Sequence, residues 1–340
     1  MDQIRVSVII PVYNASLYIR QCLDSVTGQS LKDIEIICVD DGSTDDSLDI
    51  LREYQNADPR LKVMSQKNSF AGAARNNGMS QAEGKYLVFW DSDDFFNETA
   101  LEKLYAKCEE DQAEAAVCGA QRFSDDTQKA VHFEGYLRRA MLPEKTPFAF
   151  EDIKDYIFNF TCEAAWNKMF LRSFIEEQGL RFHETRNGND LYFTMMALTQ
   201  AKKITVVPED LVFYRRQQKN SLVSSIDKSA LSVFKEWILL KQDLEKKNID
   251  CERSFHNKII SVIRYNLQLS TSAKAFNEKY EWLQTEGIEA FGLEKKEEGY
   301  FFNKEKEEFL SVLLEENADD CLIWLNNRNF WNIFSQQTML

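Results

Sequence analysis

Val6-Ser7-Val8-Ile9-Ile10 is a short, mostly β-branched run closed by Pro11, and after it Ile19, Cys22, Leu23 and Val26 recur at the spacing of one helix face. The pattern predicts a strand and then an amphipathic helix, with Asn14 placed to cap it. Glu35 to Val39 repeats the strand pattern and ends in Asp40-Asp41-Gly42-Ser43-Thr44-Asp45, after which Leu48, Leu51 and Tyr54 mark a second helix. A weaker strand at Leu61 to Met64 and a small-residue helix from Ala71 through Asn76 follow. An apolar strand then runs to Asp91, a helix carries Leu101, Leu104, Tyr105 and Cys108 on one face, and a strand spans Ala115 to Cys118. Strand and helix in alternation predict the α/β class, a doubly wound sheet whose ligand crevice collects the ends of strands one, two and four.

From about Arg122 to Phe150 the pattern fades and Pro143 and Pro147 appear, which predicts an irregular connection across the front of the sheet. Helices around Ile153 to Phe158 and Leu191 to Leu198, the strand Ile204 to Val207 and the segment Leu211 to Tyr214 are expected to extend the sheet and wall off an acceptor cleft. Beyond Asp227 the pattern is helical, with Leu231, Phe234, Ile238 and Lys241 on one helix and Ile259, Val262, Ile263 and Asn266 on another. The expected organisation is a domain over 1–225, made of a nucleotide-binding half 1–120 and an acceptor half 121–225, and a helical C-terminal region over 226–340.

Apolar residues at 44% and charged residues at 28% describe a folded chain, and 340 residues suffice for a sizeable core. The net charge of −14 argues against a nucleic acid held by its phosphates. No secretory leader opens the sequence, and runs such as Tyr86 to Trp90 and Cys321 to Leu325 are too short to cross a bilayer, so neither secretion nor a transmembrane segment is expected. Cys22, Cys38, Cys108, Cys118, Cys162, Cys251 and Cys321 stand singly and read as reduced, buried residues in the cytosol. His132, His183 and His256 form no ligand pattern and read as structural.

Chemistry concentrates at Asp91-Ser92-Asp93-Asp94, where several carboxylates stand at the end of the apolar strand beginning at Lys85. A strand buried on both faces holds such groups on a rigid support. Hard oxygen ligands there suit Mg²⁺ or Mn²⁺ bridging to a diphosphate. The competing use of the same residues is a turn that caps the helix starting near Thr99.

Val8-Ile9-Ile10-Pro11-Val12-Tyr13-Asn14, Val39-Asp40-Asp41-Gly42-Ser43-Thr44-Asp45, Ala74-Arg75-Asn76-Asn77-Gly78 and Asp91-Ser92-Asp93-Asp94, in that order and spacing, resemble glycosyltransferase family 2. The resemblance covers roughly the first two thirds of the chain. It implies the GT-A fold, a Rossmann-like mixed sheet, here with a C-terminal helical annex. The implied activity is that of an inverting, metal-dependent transferase moving a sugar from a UDP-sugar to an acceptor hydroxyl, in synthesis of a bacterial surface polysaccharide, glycolipid or glycoprotein. Pro11, Val12, Tyr13 and Asp41 would form the uracil slot, with Asp41 accepting from the imide. Asp91 would face the ribose or a metal-bound water, Ser92 belongs to the same donor-binding turn, and Asp93 would bind Mn²⁺ or Mg²⁺, leaving Asp94 as a cap or supporting partner. Arg75 would orient Asp93 or a phosphate; the alternative is an ion pair on a helix surface.

Gly188-Asn189-Asp190-Leu191-Tyr192-Phe193 resembles the family's Glu-Asp pair opening a helix, which places Asp190 as the catalytic base. Asn189 stands where the family carries Glu, and an amide cannot take a proton. Asp190 could instead serve only the helix dipole. Trp166-Asn167-Lys168 resembles the motif that precedes the base, with Trp166 offering a flat face to a sugar and Lys168 reaching acceptor or phosphate; a buried structural Trp is the rival. Tyr214-Arg215-Arg216-Gln217-Gln218-Lys219-Asn220-Ser221 resembles the family's Tyr-Arg segment, a mobile basic loop in which Arg215 or Arg216 would neutralise the leaving diphosphate. Two other functions fit less well: a donor-binding scaffold subunit, kept open by Asn189, and a sugar nucleotidyltransferase, which would want a Gly-rich phosphate loop where Pro11-Val12-Tyr13-Asn14 stands. A cytoplasmic location is expected, with attachment to the inner face of the plasma membrane and a homodimer through the C-terminal region as further options. The aromatic stretch Cys321 to Phe334 carries a single cation and is expected to pack on the annex's own helices rather than on lipid.

Overall fold

The structure, a computed structural model, describes residues 4–216 and 226–337, with side chains for all of these except 226–230 and 328–337. The chain divides into two compact units, Met1–Lys219 and Asn220–Leu340, where the sequence suggested a division after residue 225.

The first unit is a mixed α/β fold. Its elements in chain order are β1 (Val6–Val12), α1 (Ile19–Thr27), β2 (Ile34–Asp40), α2 (Ser47–Ala57), β3 (Leu61–Ser65), α3 (Phe70–Ser80), β4 (Tyr86–Phe89), β5 (Phe95–Phe96), α4 (Ala100–Asp111), β6 (Ala115–Ser124), β7 (Lys129–His132), α5 (Phe150–Ile153), β8 (Lys168–Leu171), α6 (Arg172–Glu177), α7 (Asn189–Gln200) and β9 (Ile204–Arg216). They form one sheet in the order β3-β2-β1-β4-β8-β6-β9-β5, with β7 paired to β6. β3, β2, β1 and β4 run parallel. β8 enters antiparallel between β4 and β6, and β9 lies parallel to β6.

Every residue of β1 and β2 is buried, as expected for parallel strands covered on both faces. Val6, Val8, Ile10 and Val12 belong to the same core cluster as Ile19, Cys22, Leu23 and Val26 of α1. On the alternate positions Ile9, Ile37 and Val39 meet α3 at Gly78, where an added β-carbon would lie 2.6 Å from Ile9 Cγ2. That glycine lets the helix lie directly on the strands.

Three expectations change at this level. Asn14 does not cap α1, which starts after Tyr18; it takes a left-handed backbone (φ 50°), and its Oδ1 accepts from Thr44 N at 2.8 Å, tying the loop after β1 to the loop after β2. The helix expected over Ile153 to Phe158 is only Phe150–Ile153, because Ile157, Phe158 and Phe160 are buried from a run of turns instead. The two segments at 204–207 and 211–214 are one strand, β9, whose register against β6 shifts at Gly119. The bulge packs so closely there that a β-carbon on Gly119 would meet Asp210 Oδ1 at 2.4 Å.

The second unit is helical: α8 (Ile226–Lys246), α9 (Glu252–Gln268), α10 (Ala273–Trp282), α11 (Ile288–Phe291), α12 (Lys304–Glu315) and α13 (Ala318–Gln337). α10 and α12 are capped by Ser272 and Asn303, which accept from Ala275 N and Lys306 N. The buried face of α8 is Phe234, Trp237, Leu240 and Leu244, so Leu231, Ile238 and Lys241 fall off the expected stripe. Both registers satisfy helical spacing, and the large ring of Trp237 takes the core. On α13, Cys321 and Leu325 are buried and Trp324 lies 5.4 Å from Phe309, packing inside the unit as expected. Phe330, Trp331 and Phe334 lie outside the described side chains. No described helix is long and apolar enough to cross a membrane.

Candidate active site

The carboxyl ends of β1, β2 and β4 lie side by side because the three strands are neighbours in parallel register. Pro11 and Val12 are buried, Val12 in the core cluster, so the residue that reaches the crevice from β1 is Tyr13, 51% exposed. Asp41, just past β2, is buried; its N–H donates to Val12 O at 2.8 Å, and its Oδ1 accepts from Gln66 Nε2 and Ser69 N, both at 2.8 Å. Asp41 therefore ties the end of β1, through its backbone, to the loop between β3 and α3, through its carboxylate.

Past β4 the acidic turn brings one oxygen each of Asp91, Asp93 and Asp94 within 4.8 Å of one another. It does not cap α4, whose start is shaped by Asn97 Oδ1 accepting from Thr99 N and Oγ1. Ser92 is buried beneath the turn, Asp91 and Asp93 are half-buried, and Asp94 is fully buried. Burial, and then the charges of Asp93 and Asp91, hold the Asp94 carboxyl well above the usual range, against a bond from Arg215 N. Its Oδ1 accepts that bond at 2.8 Å, while Oδ2 is buried without a partner. Three crowded carboxylates with an orphaned oxygen suit a hard divalent cation.

Arg75 is 5% exposed and crosses the site: one nitrogen donates to Asp91 Oδ1 at 2.5 Å, another to Asn189 Oδ1 at 2.6 Å, and the guanidinium lies over the ring of Phe182. Its partner is Asp91, not Asp93, and the pair is not on the helix surface. Asn189 opens α7 behind Gly188, a left-handed residue (φ 73°), and Asp190 follows in the first turn. The Asp190 carboxyl is pushed up to about 6, by desolvation first and by the charges of Asp91 and Glu163, with Arg75 pulling the other way. Arg75 therefore joins the acidic turn to the start of the helix that bears Asp190.

Arg215 is not in a mobile loop. It sits in β9 with its side chain buried; Nε donates to Asp93 O at 2.8 Å, one terminal nitrogen pairs with Asp125 and the other donates to Gln21 Oε1 at 2.5 Å. It is a strut beneath the acidic turn, while Arg216, the next residue, is exposed at the strand end. Gln217 to Ser221 lie outside the described residues. Lys168, expected at the acceptor side, is fully buried, and its Nζ donates to Cys162 O, Ala164 O and Asn167 Oδ1 at 2.7–2.9 Å. It closes the 162–168 turn and offers nothing to a ligand. Trp166 is 5% exposed, with one face stacked on Tyr214 at 5.4 Å and Tyr136 against it edge-on, so its ring is a packing element. His183 stacks on Tyr192.

Sequence reasoning missed Asp125 and Gln21, which hold Arg215, and Asn76, whose amide donates to Phe182 O while its oxygen accepts from Phe182 N. Asp125 meets Arg215 through the pairing of β6 with β9, Gln21 reaches it from α1, and neither carries a local signal. Asn76 lay within the quoted Ala74-Arg75-Asn76-Asn77-Gly78 segment and could have been suspected.

The sequence profile of Glycosyl transferase family 2 matches residues 7–179. The chain is 32% identical over 228 residues to "Uncharacterized glycosyltransferase EpsJ" of Bacillus subtilis (strain 168), covering 66% of this chain and 65% of that protein. Two further relatives are likewise covered over less than two thirds of their length. Among solved structures, S. aureus TarS 1-349 in complex with UDP-GlcNAc aligns with a TM-score of 0.71 at 19% identity, over 93% of this chain and 89% of that one. Mannosyltransferase PcManGT from Pyrobaculum calidifontis, in complex with GDP-Man and Mn²⁺, aligns with a TM-score of 0.55 at 16% identity, over 96% and 87%. At these identities the two alignments show a shared fold.

Proposed function

This chain belongs to glycosyl transferase family 2, and from that premise we propose that it transfers a sugar from a UDP-sugar to an acceptor hydroxyl with inversion at the anomeric carbon. The observation that carries the reading is the Arg75 bridge from Asp91 to Asn189, the neighbour of Asp190, which supports Asp190 as proton acceptor beside a turn of carboxylates that would suit a metal-bound diphosphate. The complex of TarS with UDP-GlcNAc supports the choice of donor.

Asp41 accepts from the uracil imide, and Tyr13 lies along the base. Asp91 and Asp93, with Asp94 behind them, would hold Mn²⁺ or Mg²⁺, which when bound offsets the charge of the departing diphosphate. Asp190 accepts the proton of the acceptor hydroxyl as that oxygen bonds to the anomeric carbon; the bond to the diphosphate breaks on the opposite face and its electron pair leaves with the diphosphate. Arg75 keeps Asp190 ionisable by opposing its desolvation. Arg216 neutralises the departing diphosphate; its exposure at the end of β9, where Arg215 is buried, supports choosing it over Arg215. The acceptor is a sugar, glycolipid or glycoprotein precursor of the bacterial surface.

Incubation with UDP-sugars, Mn²⁺ and simple acceptors, read by mass spectrometry and by released UDP, tests this. Sugar added to the acceptor with UDP as the second product is expected. Donor binding without turnover would instead assign the scaffold role that Asn189 leaves open, and formation of UTP and sugar 1-phosphate from the UDP-sugar on addition of pyrophosphate would indicate nucleotidyl transfer.

A further inference from the structure

Most aromatic rings described in the first unit are engaged with one another: Trp90 stacks on Phe96, Phe95 on Phe213, Phe182 on Phe193 and Trp166 on Tyr214. Tyr13 and Phe70 are the exceptions that face solvent, at 51% and 41% exposure. No other ring and no cation packs on either among the described residues. Both flank Asp41: Tyr13 follows Val12, whose carbonyl accepts from Asp41 N, and Phe70 follows Ser69, whose N–H donates to Asp41 Oδ1. The backbone at Phe70 is left-handed (φ 71°), a conformation that a bulky side chain rarely adopts. A ring held there, two-fifths exposed, against its backbone preference and with no ring or cation packed on it, keeps a face open to a ligand. Strain of this kind collects where a ligand is met.

We propose that Phe70 is the second aromatic wall of the nucleobase slot, opposite Tyr13, so that a planar pyrimidine is gripped between two rings while its imide N–H is read by Asp41. The inference rests on the UDP-sugar reading. Among the described residues every polar contact to Asp41 is made by Oδ1 or its backbone, which directs the base to Oδ2. Stacking adds affinity for any planar base, and Asp41 supplies the choice of one with an N–H at that edge.

Calorimetric titration with UDP and, separately, with inorganic pyrophosphate, both with Mn²⁺, tests it on the full chain. Phe70→Ala and Phe70→Gly should weaken UDP by on the order of tenfold, and Phe70→Trp should restore it. Pyrophosphate, which has no base, should bind all four proteins alike. Phe70→Gly should melt no lower than the wild type, because glycine accepts the left-handed backbone. Undiminished UDP affinity in Phe70→Ala, or parallel loss of UDP and pyrophosphate, overturns the second wall while leaving the donor reading standing. A wild-type protein that binds pyrophosphate but not UDP overturns both.

Discussion

Asp190 must be ionised to take a proton, and its surroundings resist that. With its carboxyl pushed up to about 6, turnover should rise with pH through that value and level off above it, which a pH–rate profile measures. Asp190→Asn should keep UDP affinity and lose on the order of a hundredfold or more in turnover; near-normal turnover would send the search to another base. The same shift acts on stability with a definite sign. A carboxyl that holds its proton more tightly in the folded state than at its ordinary value of 3.8 stabilises the fold below that value, and this contribution is lost as pH rises through about 6. Asp190→Asn should therefore melt at or above the wild type at pH 8, with a smaller difference at pH 5. At the acidic turn, Asp93→Asn should abolish Mn²⁺-dependent UDP binding with little change in melting temperature, since the apolar strand beneath carries the stability; unchanged metal-dependent affinity would remove Asp93 from the site.

Among elements, α3 links the fold to the chemistry. Gly78 lets it lie on β1 and β2, Arg75 crosses the site, and Asn76 fastens it to Phe182 through both backbone groups. Gly78→Ala would press a β-carbon into Ile9 and Val39 and should cost about 1–3 kcal/mol in denaturant unfolding. Arg215→Ala removes the strut under the acidic turn and should cost on the order of 2–4 kcal/mol. Arg215→Lys should rescue little, because a point charge cannot serve Asp93 O, Asp125 and Gln21 at once. These cases mark what could be read from the residues alone. β1, β2, β4 and the helices between them were legible because each writes its period locally, and the acidic turn because it ends an apolar strand. The partners of Arg215 and Lys168 were not legible, because tertiary structure sets them: Phe123↔Arg215 brings Asp125 near, α1 supplies Gln21, and the turn at 162–168 folds its carbonyls onto Lys168. For Trp166 the sequence left a sugar-facing ring and a buried structural one open, and packing on Tyr214 and Tyr136 favours the second, while Tyr13 stays open to solvent.

At the scale of the whole molecule, the helical unit closes a core of its own, in which Cys321, Trp324 and Leu325 of α13 take part. Truncation after Asn317 should lower thermal stability or solubility, measured by calorimetry and sedimentation. A truncated protein as stable as the full chain, but no longer floating with liposomes, would assign α13 to a membrane surface instead. The placement of β8 has a consequence for how the first unit comes to exist. β4, the last of the four parallel strands, pairs on its open side with residues 169–171, more than eighty positions later in the chain, and β5 waits for Val212 and Phe213. During synthesis the first four parallel strands therefore emerge with a bare, apolar β4 edge, which stays so until β8 has left the ribosome. Such an edge is a template for pairing with other chains. A fragment ending at residue 120 would carry it permanently and should aggregate, and the demand for chaperones should fall on this protein in the interval between those two strands.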